Sequence, residues 1–94
     1  MNTNEELKYA AGNGLIEVVR RLMDAGANID TRDSFGLTPL LWAAIWGRVE
    51  VVRLLLDNDA TLTPMDYSWL RDQVDAGDLD AAAGLVVIDA NREQ

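Results

Sequence analysis

Ninety-four residues with a formal charge of −8 suffice for one small domain, which buries only about 60–65% of its unfolded surface. The chain has neither cysteine nor histidine, which removes disulfides, thiolate metal sites and thiol catalysis together with the commonest general base and zinc ligand. No apolar run approaches the roughly 20 residues of a membrane helix, and the charge is uneven: residues 1–56 hold seven acids against six bases, residues 57–94 nine against two, an acidic end that repels nucleic acid and anionic lipid.

The opening Met1-Asn2-Thr3-Asn4-Glu5-Glu6 lacks the basic and apolar regions of a secretory signal, so a cytoplasmic location is expected. Thr3 with Glu6 three positions on offers an N-cap for a first helix over about Asn4 to Gly12, with Leu7, Ala10 and Ala11 inward. Asn13-Gly14 breaks it. A second helix over about Leu15 to Ala25 carries Ile16, Val19, Leu22 and Met23 on one stripe, and Gly26 can take the left-handed conformation that ends it. Asn28 to Gly36, with Asp30, Asp33, Ser34 and Gly36, has turn residues and no helical stripe, and so forms a projecting loop between units.

Thr38 and Pro39 then cap and open a third helix that ends at Gly47. A fourth helix, about Val49 to Asn58, repeats the stripe through Val49, Val52, Leu55 and Leu56, with Asp59 where the earlier unit has Gly26. Thr63-Pro64-Met65-Asp66 is again a cap, a first-turn proline and an acid three positions after the cap. It starts a fifth helix that runs to about Ala76, replaces a second projecting loop and turns Tyr67, Leu70 and Val74 inward. The last element, about Leu79 to Ala90, is expected to be a helix, although Gly84 weakens it by about 1 kcal/mol relative to alanine and Leu85-Val86-Val87-Ile88 also suits a buried strand.

These elements recur with a period of 33: Leu7 to Asp33 overlays Leu40 to Asp66 with twelve identities, among them Ala10-Ala11 over Ala43-Ala44, Gly14 over Gly47 and Glu17-Val18-Val19-Arg20 over Glu50-Val51-Val52-Arg53. A fixed period of this length is the mark of stacked helical hairpins, none of which can bury its apolar face alone. The residues resemble the ankyrin repeat, whose Thr-Pro-Leu opening stands as Thr38-Pro39-Leu40, paired alanines as Ala43-Ala44, mid-hairpin glycine as Gly47, outer helix as Val49 to Leu56 and closing Gly-Ala-Asx as Gly26-Ala27-Asn28. The family's usual histidine after Thr-Pro-Leu is Leu41 here, and the first unit lacks that opening. The resemblance implies an all-α stack in a single domain, with repeat 1 over about 4–33, repeat 2 over about 34–62 and a degenerate cap repeat over about 63–91.

It also implies a concave face of inner helices and loop tips on which such stacks meet protein partners. In the second unit the corresponding positions are Ser34, Phe35, Leu37, Trp42, Ile45 and Trp46, far more apolar than an ordinary surface, and aromatic anchors are what binding hot spots are built from. The competing expectation is that Trp42 and Ile45 fill core gaps. The first unit has Gly12 and Asn13 opposite Ile45 and Trp46; the third has Asp75 and Ala76, with Arg71 and Asp72 nearby, so the face grades from polar to aromatic to acidic.

No catalytic, cofactor or metal site is expected. Asp57 to Thr61 suggests a calcium loop only faintly, since Leu62 and Ser68 stand where that loop needs a glycine and a bidentate glutamate, and Asp78 and Asp80 suit helix capping better than cation binding. The expectation is therefore a non-catalytic protein-binding module, in sharper form an inhibitor or immunity-type protein masking a basic enzyme with Asp66, Asp72, Asp75, Asp78 and Asp80. The alternative is a homodimer or other structural homo-oligomer that pairs the same apolar patch with itself.

Overall fold

The computed structural model describes residues 2–92, over which six α-helices follow one another with no strand. They are α1 (Thr3–Gly12), α2 (Ile16–Asp24), α3 (Pro39–Ile45), α4 (Val49–Asp57), α5 (Pro64–Asp75) and α6 (Leu79–Arg92). Consecutive helices pair into three hairpins. The hairpins stack so that α3 lies between α1 and α5 while α4 lies between α2 and α6. This is the helical-hairpin stack expected from the 33-residue period, and the final segment is helix rather than strand.

Local chemistry accounts for the helix starts. The Thr38 hydroxyl accepts the Leu41 N–H at 3.2 Å with Pro39 in the first helical position. Thr63 and Asp66 form the reciprocal capping box, and the Asp78 carboxylate accepts the Ala81 N–H at 3.0 Å. At the first helix the cap is Asn2, not Thr3: its side-chain oxygen takes the Glu5 N–H at 2.8 Å, and asparagine is the better cap of the two.

The core is centred on unit two, where Leu40, Leu41, Ala43, Ala44, Val51, Val52 and Leu55 are buried together with Leu7, Ala10, Ala11 and Val19 of unit one and Leu70, Ala81, Leu85 and Ile88 of unit three. Leu41, in the place of the family's histidine, is part of this core. The end units are less covered. In α2 only Val19 of the expected stripe is fully buried, and Ile16, Leu22 and Met23 are half-buried because no further hairpin packs on that side. In α4 the expected inward residue Val49 is exposed and Val51 is buried instead, because α4 is packed by neighbours on both sides and not along a single stripe. Tyr67 and Val74 are half-buried beside the fully buried Leu70, and the Tyr67 hydroxyl donates to Asp89 at 2.8 Å.

Gly84 proves to be a packing requirement. A Cβ there would lie 2.6 Å from Cα of Ala44 and 2.8 Å from its carbonyl carbon, so the bare glycine backbone lets α6 press against the end of α3. What costs helix propensity is offset by the close approach it permits.

Candidate functional site

The projecting loop between α2 and α3 is held at both sides. Asn28 donates its N–H to Asn4 at 2.8 Å, and Asp30 accepts the N–H and hydroxyl of Thr61 at 2.8 and 2.9 Å. At its tip Asp33 accepts the N–H groups of Phe35 and Leu37, both at 2.9 Å, and the indole N–H of Trp42 at 2.7 Å, with the Lys8 ammonium 3.7 Å away. Burial, the largest single influence, pushes the Asp33 carboxyl up, but the Leu37 N–H, the Trp42 indole, the Phe35 N–H and the Lys8 charge together hold it below its ordinary value. One buried carboxylate thus fixes both the loop that carries Phe35 and the rotamer of Trp42. Lys8 also lies 4.8 Å from the Tyr9 ring centroid and 5.5 Å from that of Trp42, within cation–π range of both.

A recess of about 240 Å³ opens between units one and two, lined by Lys8, Tyr9, Gly12, Asn13, Trp42, Trp46 and Arg48. Gly12 has no side chain to fill it; a Cβ there would stand 3.5 Å from both indoles. Arg48 closes one edge, donating to the Gly12 carbonyl at 3.0 Å. Trp46, at the C-cap of α3, leaves 52% of its surface exposed.

Phe35 and Leu37 face elsewhere. With Leu41, Pro64, Met65 and Trp69 they line a groove of about 620 Å³ between the loop tip and α5. Arg32 and Asp66 also border it, joined by two parallel hydrogen bonds of 2.9 Å. The Arg32 guanidinium holds the Asp66 carboxyl well below the usual carboxylate range against the opposing effect of burial, with Thr63 helping, and the same pair raises the Arg32 pKa. Ser34 borders a third hollow, of about 300 Å³, beside Asn2, Asn4 and Glu5.

The nine expected contact residues therefore do not converge on one hollow. Trp42 and Trp46 share the recess, Phe35 and Leu37 the groove and Ser34 the third hollow. Ile45 packs against the core and Trp42 is half-buried, which leaves Phe35 and Trp46 as the most exposed apolar members. Arg71, Asp72 and Asp75 are exposed on α5, with Arg71 Nε 4.0 Å from Asp75. Tyr9, Met65 and Trp69 were not anticipated, although Tyr9 stands 33 positions before Trp42 in the repeat.

Residues 4–92 match the family model described as ankyrin repeats, in three copies. The chain belongs to the ankyrin repeat family. Over 41 residues it is 44% identical to the mouse (Mus musculus) ankyrin repeat, SAM and basic leucine zipper domain-containing protein 1, a stretch that is 44% of this chain and 9% of that protein. Ankyrin repeats are generally protein–protein interaction modules, a non-catalytic fold. In this ankyrin stack the described residues gather no group of three or more acids where a metal ion could sit, and contain no helix long and apolar enough to cross a membrane.

Proposed function

We propose that this chain is a non-catalytic, cytoplasmic protein-binding module. It takes a partner protein across two separate apolar surfaces, the recess of Trp42 and Trp46 and the groove of Phe35 and Leu37, together with the half-buried Ile45, with Ser34 on the loop and Arg71, Asp72 and Asp75 on the acidic unit flanking the contact. The observation that carries this reading is the exposure of Phe35 and Trp46, 82% and 52%, with Asp33 pinning the loop backbone at Phe35 and Leu37 and the indole of Trp42. Aromatic side chains carry a large contact area and are among those that most often dominate an interface.

The partner is basic. Eight acids against two bases lie between residues 57 and 92, a field that speeds encounter with a positive surface. In its sharpest form the reading is an inhibitor or immunity-type protein that masks a basic enzyme, the apolar anchors supplying most of the affinity and the acids the orientation. The same acidity argues against self-association, because a two-fold pairing of this face brings two acidic units together.

Affinity capture with wild type and Trp46→Asp, at low and high salt, tests the reading. A basic protein held by wild type at low salt, released by salt and lost by the variant is the expected result. A wild-type dimer that Trp46→Asp converts to a monomer, with no partner retained, would overturn it in favour of a homo-oligomer.

A further inference from the structure

The groove between the loop tip and α5 differs from the tryptophan recess in size and lining. It holds about 620 Å³ and its walls are mostly carbon. Phe35 on the loop and Met65 on α5 are each 82% exposed, and neither belongs to the core or packs against it. The charges that border it, Arg32 and Asp66, are spent on each other and offer a ligand little. The available charge lies further along α5. Met65, Trp69 and Asp72 follow one another at spacings of four and three, which puts them on one face of the helix. Asp72 is exposed and in no ion pair among the described residues, whereas Asp75 already has Arg71 beside it.

We infer that this groove is the docking site for a short extended segment of a partner protein carrying a large apolar side chain and, two positions away, a lysine or arginine. The inference rests on the protein-binding reading above and gives the partner a recognisable chemistry. Its spacing follows from helix geometry. The apolar side chain sits midway between Met65 and Trp69, so Asp72 lies about 7.5 Å further along α5 at roughly 1.5 Å per residue; an extended chain covers about that distance in two residues at roughly 3.3 Å each, and residues two apart point to the same face. The apolar side chain, seated between Phe35, Met65 and Trp69, removes the most carbon surface from water and supplies the affinity. The cation opposite Asp72 sets the register of the segment. A second copy of this chain is the poorer occupant, because it would set one acidic α5 face against another.

Panning a phage-displayed library of random peptides, each about twelve residues long, against the full chain tests this. Selected peptides are expected to pair Phe, Leu, Met or Trp with Lys or Arg two positions away. A synthetic representative should lose at least about tenfold in affinity on Met65→Asp, a hot-spot-sized effect, and should weaken with salt. Asp72→Lys should turn the selected preference at that position from basic to acidic. Both substitutions fall at exposed positions, so thermal melts of the variants should match the wild type. Selection without the basic partner at that spacing, or no enrichment at all, overturns the inference. So do peptides lost on Trp46→Asp but indifferent to Met65→Asp, which would leave the protein-binding reading intact and move the site to the tryptophan recess. Failure of the protein-binding reading itself is registered separately, by the capture experiment.

Discussion

Arg32 on the projecting loop grips Asp66 in the first turn of α5 with both prongs of its guanidinium, Nη1 to Oδ1 and Nη2 to Oδ2, each at 2.9 Å. The pair spans 34 residues and two structural units, and its carboxylate is almost wholly buried while 41% of the arginine side chain remains open to solvent. Arg32→Ala would leave a buried charge with only the Thr63 N–H as a partner. The expected loss is about 1–2 kcal/mol, the lower part of the range for charged hydrogen bonds because solvent already screens the arginine. Urea titration of the variant checks it.

The same pair makes the stack acid-labile. Asp33 and Asp66 both ionise below their ordinary value in the folded chain, so each binds a proton more readily when unfolded. The stability they supply is complete above the unfolded carboxylate value of about 3.9 and is lost as pH falls from there toward the depressed folded values. Asp66→Asn should therefore be less stable than wild type at neutral pH, with the difference narrowing as pH drops below about 4. Melting temperatures of both proteins across that range decide it; a difference independent of pH would rule the pair out as its source.

Gly84→Ala separates intrinsic helix propensity from packing. In an open helix the change stabilises by about 1 kcal/mol. Here the new methyl meets the backbone of Ala44, which cannot swing aside, and overpacking of this kind costs about 1–3 kcal/mol or more. The expected net result is a fall in melting temperature of roughly 5–10 °C for a domain of this size.

How far the sequence predicts the fold follows from the range of each interaction. Caps, first-turn prolines and the hairpin period are local, and Thr38-Pro39 and Thr63-Pro64 open helices where their residue types say they must. Gly84 could not be read that way, because its reason is a contact with a residue 40 positions earlier. The division of the apolar surface was hidden for a related reason. α5 is twelve residues long against seven for α3, and its extra length lies where a second loop would have been, which sets Met65 and Trp69 against Phe35. Comparing the units position by position, at one fixed offset, cannot bring those three together. Asp33 and Asp66 occupy matching positions of the 33-residue repeat, but the partners that make each one matter, Lys8 with Trp42 and Arg32, are brought to them only by the fold.

Asp59 adopts φ 65° at the end of α4, where unit one uses Gly26 at φ 93°. The left-handed conformation is unfavourable for a residue with a Cβ by about 1–2 kcal/mol, less for aspartate, while glycine adopts it freely but loses more entropy on folding. Asp59→Gly is therefore expected to stabilise by about 0.5 kcal/mol, a rise of roughly 2–4 °C. The reverse exchange, Gly26→Asp, isolates the backbone cost, since a Cβ at position 26 meets no other residue within 4 Å and is strained only by the positive φ. It should lower the melting temperature by a similar amount.

Asp33→Asn tests whether the loop tip and the tryptophan recess are ordered by one group. An amide keeps an oxygen that can accept two of the bonds, but it loses the charge that Lys8 faces and places an N–H₂ where either the Trp42 indole or the loop N–H groups need an acceptor. The expected cost is about 1–3 kcal/mol, as for leaving a buried donor unmet. A second readout separates local from global loss. Freed from Asp33, the half-buried Trp42 should gain mobility and contact with water, shifting its fluorescence to the red while far-UV circular dichroism still reports the full helical content. With Trp46 and Trp69 replaced by phenylalanine, the emission comes from Trp42 alone, and an unchanged spectrum in Asp33→Asn would show that packing, not this hydrogen bond, holds the indole in place.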